Sequence, residues 1–366
     1  MSFLRNCWYV ACISGELAGG PITRTILGER VVMFRGEQGA PAILADRCPH
    51  RFVRLSSGKV VGEAIECPYH GLRFDGSGAC IHQPFDQGAP APHNAVRSYP
   101  VMERGGFIWM WPGDPKLADP AVLPASFAIL DDPNLRTVHG YLRIEGNYQL
   151  VVDNLLDLSH VDFLHPEARL PEGFETYRNK VEQQDNRVTN WLWKPSSTPN
   201  FLQAKLRGSP SRKADVFAHM EWNAPCHLML RTGLQDVGEP ECSDLNLPSA
   251  HIMTPETDTT THYFWTVGRD RHKDDSSIDE LFLSALTHIF STQDGPMIEQ
   301  QQQGMGDETD LFAHHPVILS SDAAAVRARR ILQRLIREEQ RGGAPAQRAT
   351  PGSDTALHVG TPVAVT

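Results

Sequence analysis

A chain of 366 residues is long enough for two domains with separate cores. Its formal charge of −10, from 44 Asp plus Glu against 34 Lys plus Arg, offers no basic face to nucleic acid or to an anionic membrane, so small molecules and proteins are the expected partners. Residues 1–12 lack the continuous apolar stretch of a secretory signal, and no run approaches the ~18 apolar residues of a membrane span, so the expected location is the cytoplasm.

From Arg30 to Pro112 the sequence predicts a small antiparallel β domain of short strands: 30–36, 41–46, 60–67, 72–75 and 106–112. Asp75-Gly76-Ser77-Gly78 and Arg104-Gly105-Gly106 supply turns between them. The Pro-rich stretch from Trp111 to Pro124 sustains neither a helix interior nor a central strand and reads as a boundary. Beyond it come a helix near 149–164, strands between about 176 and 267, a helix over 278–303 and an amphipathic closing helix over 322–339 capped by Ser320, Ser321 or Asp322. The arginines of that last helix, Arg327, Arg329, Arg330, Arg334 and Arg337, suit a solvated face or an acidic partner. Residues 342–366, rich in Ala, Pro, Gly and Thr, predict a disordered tail. The expected layout is therefore residues 1–118, 119–341 and 342–366.

Seven cysteines suit a reducing compartment rather than a disulfide framework. Cys7, Cys12, Cys80, Cys226 and Cys242 have no partner at ligand spacing and are expected to be structural thiols. The other two stand in Arg47-Cys48-Pro49-His50-Arg51 and Cys67-Pro68-Tyr69-His70-Gly71, with 16 residues between His50 and Cys67. Each half offers one thiolate and one imidazole, the ligand set of a Rieske [2Fe-2S] cluster, where two Cys bind one iron and two His the other. A structural zinc site is the competing reading, although zinc knuckles usually pair like with like.

An electron carrier alone would end near residue 110, and the remainder holds a second motif, Asp153-x3-Asp157-x2-His160-x4-His165. Two His and a carboxylate on one face, with open positions, are the usual grip on an O2-activating ferrous ion. Five residues of ideal helix set His160 and His165 roughly 140° apart, so convergence needs a local deviation. Pro166 biases His165 away from the helical region, and a π-bulge between the two histidines would act the same way. Asp157, one turn before His160, is expected to accept that ring's other N–H. Spacing leaves the third ligand open among Asp294, Glu299, Asp307 and Glu308. No dinucleotide or phosphate-binding glycine loop is present, so electrons must come from another protein.

The R-C-P-H-R and C-P-Y-H-G segments, with the opening R-N-C-W-Y-V-A and the later T-P-E-T, resemble Rieske non-haem iron oxygenases of the vanillate O-demethylase, dicamba monooxygenase and toluenesulfonate methyl-monooxygenase type, over roughly residues 3–340. The resemblance implies an α+β chain with an N-terminal β Rieske domain and a C-terminal helix-grip domain of START-like form. It implies Asp294, in I-F-S-T-Q-D-G-P-M-I-E-Q-Q-Q, as third ligand of the mononuclear Fe(II), and Asn154 beside the iron. It further implies Asp157 as a bridge to a cluster histidine of the adjacent subunit in a head-to-tail homotrimer, with a reductase or ferredoxin as electron donor and O2 and a small aromatic molecule as substrates. His251 matches a polar pocket position, and Arg231 is a candidate for an anionic substrate group. The activity expected on these grounds is O-demethylation of a methoxylated aromatic acid, with ring cis-dihydroxylation or aryl-methyl hydroxylation as alternatives, and a Rieske electron-transfer protein as the non-enzyme reading.

Overall fold

The computed structural model describes residues 3–85, 88, 90–169, 177–208, 212–238 and 243–342. The expected tail lies outside this set apart from Gly342, and Cys242 lies outside it as well. Every strand pair in it is antiparallel. In the first half, β1 (Tyr9–Ile13), β10 (Val101–Arg104) and β11 (Phe107–Met110) form a three-stranded sheet in the order β1-β11-β10. A four-stranded sheet joins β2 (Ile22–Ile26), β3 (Glu29–Arg35), β4 (Pro41–Ala45) and β9 (Ser98–Tyr99). Another joins β5 (Lys59–Val61), β6 (Ala64–Glu66), β7 (Arg73–Asp75) and β8 (Cys80–His82). The single strand expected over 60–67 is thus a hairpin: Val61 pairs with Ala64, and Gly62 takes the positive φ of 60° that so tight a turn demands.

The second half is built on one seven-stranded sheet in the order β12-β18-β17-β16-β15-β14-β13. Its strands are β12 (Arg136–Ile144), β13 (Arg178–Gln184), β14 (Arg187–Ser197), β15 (Ala214–Asn223), β16 (His227–Gln235), β17 (Ser243–Pro255) and β18 (Thr261–Arg269). The helices are α1 (Tyr148–Leu156), α2 (Val161–Leu164), α3 (Phe201–Arg207), α4 (Ser276–Ile289), α5 (Gly295–Met305) and α6 (Ala323–Gln340). The α+β class is as expected.

Period-two alternation gives the central strands of this sheet two buried faces. Met229, Ala250, Ile252 and Phe264 face the first half, where Trp8, Trp109, Trp111 and Phe127 cover them in one apolar cluster. The opposite face meets α1, α3, α4 and α6. The helix expected over 149–164 is broken: α1 stops at Leu156, and α2 starts only at Val161. Asp157 leaves the helical region with ψ 96°, and its carboxylate accepts from the amide and hydroxyl of Ser159, an alternative to continuing the helix. The closing helix begins where expected, and the Asp322 carboxylate accepts from the Leu319 amide rather than from an amide of the helix itself. Its arginines are mostly occupied at home. Arg329 is buried against Asp153 of α1 (2.6 Å), Arg334 pairs with Glu338 and Arg327 donates to the Val181 carbonyl.

Candidate metal centres and substrate cavity

Two loops between short strands carry the four Cys and His residues, and they are built alike. The Cys48 amide donates to the Val53 carbonyl and the Cys48 carbonyl accepts from Phe52; in the second loop Leu72 and Gly71 play the same parts for Cys67. Phe52 and Gly71 both adopt positive φ, 62° and 71°. Cys48 and Cys67 are buried, whereas His50 is exposed and His70 half-buried, their rings 4.4 Å apart. Burial pushes the Cys48 thiol up to about 11, against the amide of His50 and with the help of the Cys67 thiol.

Among the described residues, the one His/Cys/Asp/Glu group whose ligand atoms all lie within 4.8 Å of one another is elsewhere, at His160, His165 and Asp294. Not even three of the four loop residues close around a point, as a tetrahedral zinc site with bonds of about 2.0–2.3 Å would require. Thiols inside and imidazoles outside, spread more widely than one ion allows, fit a two-iron cluster with its histidine-bound iron toward the surface. Cys7, Cys12 and Cys226 are buried as expected, but Cys80 is only half-buried, with its thiol toward the His82 carbonyl.

The second group stands at the break between α1 and α2. His165 has φ −117° and ψ 80°, outside the helical region as Pro166 dictates. The Nε2 atoms of His160 and His165 are 3.2 Å apart and lie 3.4 and 3.3 Å from Asp294 Oδ1. Donors bound to one ion at about 2.1 Å are separated by roughly 3.0–3.4 Å, so this triangle has the size of a single first-row metal site with one face open. The chain does use a π-turn here, but on the other element. Phe290–Asp294 wind as π-helix between α4 and α5, while the histidines converge through a plain helix break. The π-turn inserts one extra residue into the helical repeat and brings Asp294, only 2% exposed, to the histidines.

The hydrogen bonds fix the tautomers. Gln293 donates its amide to Glu167 Oε1 (2.8 Å), leaving its carbonyl oxygen to accept from His165 Nδ1 at 2.6 Å. His160 Nδ1 donates to the backbone carbonyl of Asp157. Both Nε2 lone pairs therefore point into the triangle. Asp157 is the expected residue acting through an unexpected atom, because its carboxylate is turned to Ser159 instead of His160. Asn154 donates to Asp294 Oδ1 at 3.1 Å. Burial works to raise the Asp294 carboxyl, but the two imidazoles, when protonated at Nε2 in place of a bound metal, hold it well below the carboxylate range; burial lowers His165, and the Asp294 carboxylate beside it outweighs that. Gln293 and Glu167 carried no signal in the sequence beyond adjacency to the ligands.

The triangle forms one wall of a cavity of about 240 Å³. The rest is largely apolar: Leu155, Leu158, Val161, Met220, Leu230 and Phe290 among others, with Asn154, Thr232, Ser249 and His251 as the polar exceptions. His251 is 2% exposed, with Nδ1 2.7 Å from the Tyr263 hydroxyl and Nε2 3.0 Å from Ser249 Oγ, and burial lowers it to about 4, so its ring is neutral. Arg231 corrects an expectation. Its neighbours Leu230 and Thr232 line the cavity, so alternation puts Arg231 on the opposite face of β16, paired across to His219 and near Glu221.

An apolar chamber closed at one end by two imidazoles and a carboxylate, in a chain with its own Cys/His cluster loops, is the arrangement of an iron oxygenase that stores its own reducing equivalents. The Rieske [2Fe-2S] domain model matches residues 7–100 and the vanillate O-demethylase oxygenase C-terminal domain model residues 144–338. The chain is 36% identical to the oxygenase component of dicamba O-demethylase from Stenotrophomonas maltophilia, over 92% of this chain and 98% of that one. It is also 36% identical to the oxygenase component of chloroacetanilide N-alkylformylase from Rhizorhabdus wittichii, over 93% and 97%. A crystal structure of dicamba monooxygenase bound to 3,6-dichlorosalicylic acid superposes with a TM-score of 0.86 at 37% identity, covering 93% of this chain and 99% of that one. The chain belongs to the Rieske non-haem iron oxygenases, in the branch defined by the vanillate O-demethylase oxygenase C-terminal domain. It is the oxygenase component of a multicomponent system, carries a [2Fe-2S] cluster and a mononuclear iron, and takes electrons from a separate reductase or ferredoxin. No helix of the described residues is long and apolar enough to cross a membrane.

Proposed function

We propose that this oxygenase removes a methyl group from a small aromatic ether, releasing formaldehyde and leaving the phenol. The observation that carries the reading is the position of the His160, His165 and Asp294 triangle as the end wall of an apolar, ring-sized cavity. Cys48 and Cys67 hold the inner iron of the cluster and His50 and His70 the outer. His160, His165 and Asp294 hold the mononuclear iron, and Asn154 steadies Asp294. Bound iron supplies activation of O2 for insertion of one oxygen atom into a methyl C–H bond. With two electrons and two protons the second atom leaves as water, and the hemiacetal so formed breaks its C–O bond to give phenol and formaldehyde. The apolar wall presents the methyl group to the open face of the triangle and excludes water.

The domains run over 1–118 and 119–341, and the protein works in the cytoplasm as a head-to-tail homotrimer. Exposed apolar side chains favour self-association: Phe52 and Tyr69 on the cluster loops, Phe85 soon after them in the sequence, and Phe163 on the short helix that links the two iron-site histidines. In that assembly the Asp157 carboxylate bridges to a cluster histidine of the next subunit. An aromatic acid, as the sequence suggested, and an uncharged aryl ether are the two charge classes of substrate. Anaerobically purified protein is expected to hold about three irons per chain. With a surrogate reductase it is expected to release formaldehyde from one or more methoxyarenes. A cis-diol or a benzylic alcohol as the only product overturns demethylation, and two irons with no substrate-dependent O2 uptake overturns the oxygenase site.

A further inference from the structure

We propose that the cavity selects an uncharged aromatic substrate carrying a hydrogen-bond acceptor, which meets the hydroxyl of Ser249, and that it excludes a carboxylate from the same place. This rests on the cavity being the substrate site of the proposed reaction. Among the described residues, no Lys or Arg lines it. Arg231 faces the other side of its strand. Lys194, on the cavity side of β14, is not part of the wall and lies 4.6 Å from the centre of the Tyr177 ring. Arg207 is engaged by Asp236 and Arg329 by Asp153. The internal residues outside the described set, 86–87, 89, 170–176, 209–211 and 239–242, contain no Lys, Arg or His.

His251 does not supply the missing charge, because burial keeps it neutral at physiological pH. The positive charge of the metal sits at the reacting end, partly cancelled by Asp294. A carboxylate drawn there would occupy the place that the methyl group must take. Elsewhere in the chamber it would lose its hydration with nothing in return.

The polarity of the hydrogen bonds follows from counting protons. Among the described residues, the Tyr263 hydroxyl has one acceptor in reach, His251 Nδ1. Tyr263 therefore donates to Nδ1, the proton of His251 lies on Nε2, and Nε2–H donates to Ser249 Oγ. The opposite direction would strand a phenol proton in the core. Ser249 has accepted from within the protein, and its own proton is left for the cavity that it lines. The wall thus offers a neutral donor, matched by an amide, sulfonyl or nitro oxygen on the ring.

The test is direct binding to the anaerobic, iron-loaded oxygenase, using 2-, 3- and 4-methoxybenzamide and the corresponding methoxybenzoates, with formaldehyde assayed separately. At pH 7.5 at least one amide is expected to bind about tenfold or more tightly than its benzoate. Benzoate affinity is expected to rise about tenfold for each pH unit lowered, since only the small protonated fraction enters, while amide affinity stays level. Leu230→Arg should reverse the preference, and Ser249→Ala should weaken the amide by about two- to tenfold relative to 4-methoxytoluene. The pH series on the unaltered protein decides the matter if Leu230→Arg does not fold. Benzoates bound as tightly as amides, with affinity flat in pH, overturn the inference, as does failure of both series to bind. An amide that binds but yields no formaldehyde counts instead against demethylation.

Discussion

Which nitrogen of each imidazole carries the proton decides whether His160 and His165 can share an ion. For His165 that choice is made by Gln293, whose own orientation is set by Glu167. Gln293→Leu removes the acceptor for Nδ1–H and is expected to lower iron affinity about 10- to 100-fold. Iron per chain after dialysis against a chelator should fall from about three toward two, with the visible spectrum of the cluster unchanged. Full retention of the third iron would show that Gln293 does not orient the ring. The ligand histidines were legible because their types and spacing sit together in the chain. Gln293 was not, since its partner is 128 residues away and glutamine beside an acid is common. Asp157 shows a finer limit, for the sequence named the residue but could not tell a carbonyl from a carboxylate.

A single extra residue in one helix brings Asp294 to the histidines. The apolar periodicity of residues 278–303 revealed a long helix but not its π-turn, because no side-chain type encodes an i to i+5 bond. Deleting Ser291 would restore the α repeat and rotate Asp294 by about 100° about the helix axis. The expected result is loss of the mononuclear iron with the cluster intact, read as two irons per chain; a third iron retained would show that the turn does not aim the carboxylate. Strand facing was legible only where one face is polar. In β16, H-L-M-L-R-T-G-L-Q, apolar residues fall on both faces because both are covered, so parity gave no hint that Arg231 points away from the cavity while Leu230 lines it. The β7–β8 turn was easier to read, since Gly76 and Gly78 mark it, whereas Gly62 alone did not reveal the turn inside the strand expected over 60–67.

The whole molecule is joined across its two halves by buried contacts whose protonation matters. His227 Nε2 donates to the Trp8 carbonyl, and burial lowers this histidine to about 4; His219, stacked on Trp191 at 3.6 Å, is likewise lowered to about 4 by burial. Their unfolded value is near 6.5, so between pH 6.5 and 4 the unfolded chain binds more protons than the folded one. Stability is full above that window and drains as pH falls through it, by up to about 1.4 kcal/mol per pH unit for each histidine. His227→Gln keeps a donor for Trp8 and abolishes the titration. Its melting temperature is expected to fall less than that of the parent between pH 6.5 and 4.5; an equal fall would clear His227 of any part in acid sensitivity.

The same joining reaches the chain ends. Thr254 binds the Val10 carbonyl, and the backbone amides of Arg5 and Asn6 both donate to Glu339. On the ribosome the first strand emerges early, yet the groups that clamp it are made more than two hundred residues later. Strand β1 can pair with β11 and bury Trp8 against Trp111 well before that, but its outer clamps at Thr254 and Glu339 arrive only with far later segments, and until then the first half stands without the sheet that covers it.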